Sequence, residues 1–74
     1  MPKNKNLFRL DPTLRAVKET VFDEMRHLVV KRRRDNTYWY VSYFRGPHGW
    51  VPMEVQNQSG RETDALVKYH ESLA

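Results

Sequence analysis

The sequence predicts an α+β fold made of an N-terminal helix, a three-stranded antiparallel meander and a short C-terminal helix. Three observations carry that prediction. Leu14, Val17, Val21, Met25 and Leu28 recur at spacings of three and four, one stripe of an amphipathic helix. Thr37-Tyr38-Trp39-Tyr40-Val41-Ser42-Tyr43-Phe44 is an unbroken run of aromatic, β-branched and hydroxyl residues, as strands favour. Ser59-Gly60-Arg61-Glu62 matches a capping box ahead of Leu66, Tyr69, His70 and Leu73 at helical spacing.

The first ten residues carry Lys3, Lys5 and Arg9 without an acid and lack periodicity over Met1–Asn6, which predicts a flexible basic arm. Within it Leu7-Phe8-Arg9-Leu10 is more apolar and suits contact with the domain or with a partner. Residues 11–74 are expected to form one α+β domain, since 74 residues leave no room for a second core. Asp11-Pro12 is a helix start: the carboxylate can accept from free N–H groups, and proline at the first helical position loses no bond. The helix is expected over Pro12–Leu28. Arg26 and His27 fall in its last turn, where the dipole favours cations.

The first strand follows as Leu28-Val29-Val30-Lys31-Arg32-Arg33-Arg34, closed by a two-residue turn at Asp35-Asn36. That turn pairs Arg33 with Tyr38 and Lys31 with Tyr40. Leu28, Val30, Arg32, Trp39, Val41 and Tyr43 then share a core face closed by the N-terminal helix. Val29, Lys31, Arg33, Tyr38, Tyr40, Ser42 and Phe44 share an outer face. The third strand is Trp50-Val51-Pro52-Met53-Glu54-Val55-Gln56, and Pro52, which lacks an N–H, requires it to be an edge. A four-residue loop over Gly46–Gly49 would set Glu54 against Val41 on the core face. The apolar pattern instead selects an odd-numbered loop, with Val41 opposite Met53 and Trp50 meeting Phe44 outside.

Thirteen Lys+Arg against nine Asp+Glu give a net charge of +4, concentrated in the arm and in Lys31–Arg34. This balance suits an anionic partner or simply solubility. The chain has no cysteine, which fits a reducing cytoplasm. No apolar run is long enough to span a bilayer. His27, His48 and His70 are scattered without metal-ligand spacing, and neither a Gly-rich phosphate loop nor an activated nucleophile is visible, so the expectation is no enzyme, no cofactor and no metal site.

The expected partner-binding residues are Lys3, Lys5, Leu7, Phe8 and Arg9 in the arm, with Lys31, Arg33, Tyr38, Tyr40, Phe44 and Trp50 on the outer face. Cations interleaved with flat rings suit phosphates and bases. The same residue types suit a protein hot spot, and the structural alternative is that cross-strand pairs stabilise a solvated face or that the C-terminal helix covers it.

Val30-Lys31-Arg32-Arg33, Tyr38-Trp39-Tyr40-Val41 and Glu62–Leu73 make residues 28–74 similar in layout to the three-stranded DNA-binding module of AP2 factors and tyrosine-recombinase arms. That resemblance implies a sheet laid in the major groove, with Lys31, Arg33, Tyr38 and Tyr40 as readers. Pro52 and Glu54 stand where those families carry basic residues, and a preceding helix is foreign to them. In size, charge and architecture the chain also resembles small bacteriophage regulators that bind bacterial RNA polymerase, as inhibitors or as modifiers of termination. That resemblance implies a monomeric, non-enzymatic protein that binds the host's RNA polymerase in the bacterial cytoplasm. It ranks first, because the acidic third strand and tail weaken a DNA-facing surface.

Overall fold

The structure is a computed structural model that describes residues 14–57 and 59–74. Four antiparallel strands and one helix follow in chain order: β1 (Leu14–Phe22), β2 (Met25–Arg32), β3 (Thr37–Gly46), β4 (Gly49–Gln56) and α1 (Glu62–Leu73). The sheet order is β1-β2-β3-β4, a pure meander.

The expected N-terminal helix is overturned: its described part is β1, a turn and the first half of β2. A two-residue turn at Asp23-Glu24, with φ of +55° and +62°, reverses the chain between Phe22 and Met25. Two positive φ values in succession are the twist that a tight hairpin needs. Val17, Thr20, Val21 and Phe22 favour strand, but a bulge between Ala16 and Lys18 shifts the alternation by one residue. Leu14 and Ala16 therefore share a face with Glu19 and Val21, and no strict period of two remains in the sequence. What survives is spacing that imitates a helix.

The central hairpin keeps its predicted faces but not its predicted turn. Arg33–Asn36 form a four-residue connection, and Lys31 pairs with Tyr38, Val29 with Tyr40 and Leu28 with Val41. This register differs from the expected one by two residues, so every side chain stays on its assigned side. Asp35 holds the turn. Its carboxylate accepts from Arg32 Nη2 at 2.8 Å, Arg32 Nε at 3.2 Å and the Thr37 hydroxyl at 2.7 Å. The Thr37 hydroxyl in turn accepts from Trp39 Nε1 at 2.9 Å.

The loop before β4 also differs. Gly46 pairs with Gly49 across a two-residue Pro47-His48 connection, and a bulge at Met53 then restores Val41 to Val55. The chain corrects its parity inside the strand rather than in the loop. In consequence Trp50 faces Arg45 and not Phe44. As Pro52 requires, β4 is an edge strand.

Helix α1 lies on the face expected to be outer. It buries Ala65 and Tyr69 against Val29 and Tyr40, with Tyr38, Leu66 and Leu73 packed around them. On the back face, Leu28, Val30 and Val41 form a second cluster with Leu14, Trp39, Tyr43 and Val55. The core membership predicted for that face holds for Leu28, Val30, Trp39, Val41, Tyr43 and Val55 but fails for Met53, which the bulge leaves 56% exposed, and for Val51, which lies exposed opposite Phe44; no described helix closes this face. The capping box is not formed either: Arg61 is the N-cap without a side-chain bond, and the Ser59 hydroxyl accepts from Arg61 N at 3.1 Å while donating to Asp64. No helix among the described residues is long and apolar enough to cross a membrane.

A candidate partner interface

The front face, which carries α1, has three zones. Beneath the helix lies a polar row: Thr20 opposite His27 and His27 opposite Ser42, with Glu54 beyond on β4. The Thr20 and Tyr69 hydroxyls are 2.5 Å apart, tying β1 to the helix. His27 Nδ1 lies 2.9 Å from the Tyr40 hydroxyl, and the two rings stack with centroids 6.2 Å apart. Ser42 Oγ is buried without a hydrogen-bond partner among the described residues.

Next to this row, toward the Asp23-Glu24 turn, Phe22 pairs with Met25, Met25 with Phe44, and Phe44 with Val51. Each strand contributes one apolar side chain, so a hydrophobic band crosses the whole sheet. Phe22 is 50% exposed, Phe44 42% and Val51 37%. The helix does not cover them.

At the other end of β1 and β2 the surface turns basic. Arg15 pairs directly with Lys31, and Lys18 stands on the same face opposite Val29. Lys31 Nζ sits 5.6 Å from the centre of the Tyr38 ring. Arg33 and Arg34 extend the charge into the turn, where both are exposed.

The back face carries a different arrangement. Arg32 stacks over Trp39 at 5.2 Å and Arg45 over Trp50 at 5.0 Å. Arg26 binds Glu19 at 2.5 Å, Arg32 binds Asp35 at 2.8 Å, and Arg45 approaches Glu24 at 3.4 Å. The charged hydrogen bonds from Arg32 hold the Asp35 carboxyl well below the usual carboxylate range. Burial raises the Tyr43 phenol above its ordinary value, and the charge of Arg26 opposes that rise.

The expected site residues are therefore divided. Tyr40, placed outside by the sequence, is 1% exposed and belongs to the interior under α1. Tyr38 is half-buried against the same cluster, while Lys31 reaches over its ring. Trp50 lies on the back face with Arg45, away from Phe44. Phe44 remains exposed on the front, as a member of the apolar band. Lys3, Lys5, Leu7, Phe8 and Arg9 lie outside the described residues. Arg15, Lys18, Phe22, Met25 and Val51 were missed because the first four were assigned to a helix and Val51 to the opposite face. Recognising Asp23-Glu24 as a turn would have found the first four.

Among the described residues no cluster of His, Cys, Asp and Glu could hold a metal ion. No protein-family model matches the chain, and no curated protein or solved structure matches it.

Proposed function

We propose that this chain is a non-enzymatic regulator that works by docking on a protein, and that bacterial RNA polymerase, the partner implied by its resemblance to small phage regulators, is the first candidate. One observation carries the reading: the Phe22, Met25, Phe44 and Val51 band crosses four strands beside the helix, with Phe22, Phe44 and Val51 exposed and Met25 half-buried between them. A contiguous apolar surface rimmed by polar groups is the usual anatomy of a protein contact, and aromatic side chains supply most of its binding energy.

The test is binding of the full chain to purified bacterial RNA polymerase, with and without nuclease treatment. The expected result is a complex that survives nuclease and that the pair of substitutions Phe22→Ser and Phe44→Ser weakens at least about tenfold, the loss of about 1.4 kcal/mol or more expected for interface aromatics. No complex with purified polymerase, or one indifferent to both substitutions, overturns the reading.

A further inference from the structure

Eight of the arginine and lysine side chains on the sheet and its turns fall into two populations; Arg61 and Lys68, at and in α1, belong to neither. On the back face and its turns, Arg26, Arg32 and Arg45 each have a carboxylate within 4.0 Å. On the front of β1 and β2 and in the adjoining turn, Arg15, Lys18, Lys31, Arg33 and Arg34 have none among the described residues. The segregation is spatial as well as numerical. Asp64 and Glu71 of α1, together with Lys68, line a groove of about 200 Å³ with Gln56 and Asn57 at the end of β4. Glu62, in the first turn of α1, forms no ion pair among the described residues.

Arg15 and Lys31 are the more informative pair. They are direct cross-strand partners, so two like charges are held side by side, an arrangement that works against the sheet. Lys31 gains a contact with the Tyr38 ring, but no carboxylate among the described residues offsets either charge. A dense external anion does, because it relieves both charges at once. From the level of Val29, opposite Lys18, to Arg32 at the end of β2 the strand path covers roughly 10 Å at about 3.3 Å per residue, and Arg33 and Arg34 follow in the turn. One strand of duplex DNA presents a phosphate about every 3.4 Å of axis, so this length meets several in succession. The Tyr38 ring, already under Lys31, supplies a flat surface at the inner margin of the track.

We infer that the front of β1 and β2 is a phosphate-backbone grip for nucleic acid, separate from the apolar band and independent of sequence. Arg15 and Lys31 hold its centre, Lys18 one end and Arg33-Arg34 the other. The back face, where the arginines are already neutralised, is not the gripping surface.

The experiment is fluorescence anisotropy of a labelled random DNA duplex with the full chain across a salt series, with poly-glutamate as competitor. The parent should bind at low salt, and its affinity should fall steeply as salt rises. Replacing Arg15 and Lys31 together by Ser should weaken binding by at least about tenfold and reduce the logarithmic salt slope by about 2, one per lost phosphate contact. Replacing Arg26 and Arg45 by Ser should leave both quantities within about twofold. Thermal melting of each variant checks that the fold is kept. Absence of DNA binding at low salt overturns the inference. So does an unchanged slope in the Arg15/Lys31 variant, or displacement by poly-glutamate at equal charge concentration. The polymerase experiment is unaffected by this outcome, because nuclease-resistant binding through Phe22 and Phe44 is read separately.

Discussion

His27 Nδ1 and the Tyr40 hydroxyl meet at 2.9 Å beneath α1, in a part of the molecule where His27 is 4% exposed and Tyr40 1%. A hydrogen bond in that position matters chiefly through what its loss leaves behind. Tyr40→Phe keeps the ring and its stacking on His27 but strands the imidazole nitrogen in the interior. The expected cost is about 1–3 kcal/mol in chemical denaturation.

Ser42 gives the opposite expectation at the neighbouring position across from His27. Its hydroxyl is fully buried and has no partner among the described residues, so it contributes desolvation without a bond. Ser42→Ala should be neutral or stabilising by up to about 1 kcal/mol. A clear destabilisation would show that the hydroxyl does find a partner in solution.

Glu24 tests the first hairpin by the sign of its response. At a φ of +62° a side chain carries a steric penalty that glycine lacks. Glu24→Gly should therefore raise stability by roughly 0.5–1 kcal/mol, because the ion pair it removes, Glu24 with Arg45, is exposed and worth little. In a helix the same glycine would lower stability by a similar amount. Paired urea titrations of parent and variant read the sign directly.

Asp35 sets an acid limb. Its carboxyl is depressed in the folded state by hydrogen bonds from Arg32 and Thr37. A depressed carboxylate contributes stability that is fully present above its unfolded value near 3.9 and is lost as pH falls through the folded value. Carboxyl-resolved NMR should find Asp35 still ionised at about pH 3, where ordinary side-chain carboxyls are protonated. The Arg32→Lys variant, which loses the two-point grip, should return it toward the ordinary range.

Much of β3 and α1 was legible in the sequence, and the reasons are local. Thr37–Phe44 has strand-forming residues throughout, and the helical spacing after Gly60 has no competing period. The division of β2 and β3 into two faces was also legible, because a turn longer by two residues leaves parity untouched. The candidate site was less so. Lys31, Arg33 and Phe44 were found, whereas Arg15, Lys18 and Phe22 were hidden in a segment whose bulge erased its alternation.

By itself the sequence determined which residues of β2 and β3 share a face, which follows from strand periodicity, and that the strand holding Pro52 is an edge. Only the tertiary structure decided which face is covered. Both faces offer apolar residues, so pattern alone cannot tell them apart. The choice rests on where α1 returns, with Gly60 O accepting from Tyr38 N at 3.0 Å and Tyr69 reaching Thr20. Those contacts join residues far apart in the chain, and no local propensity contains them. They moved Tyr40 from the surface to the interior and left Phe44 and Lys31 outside.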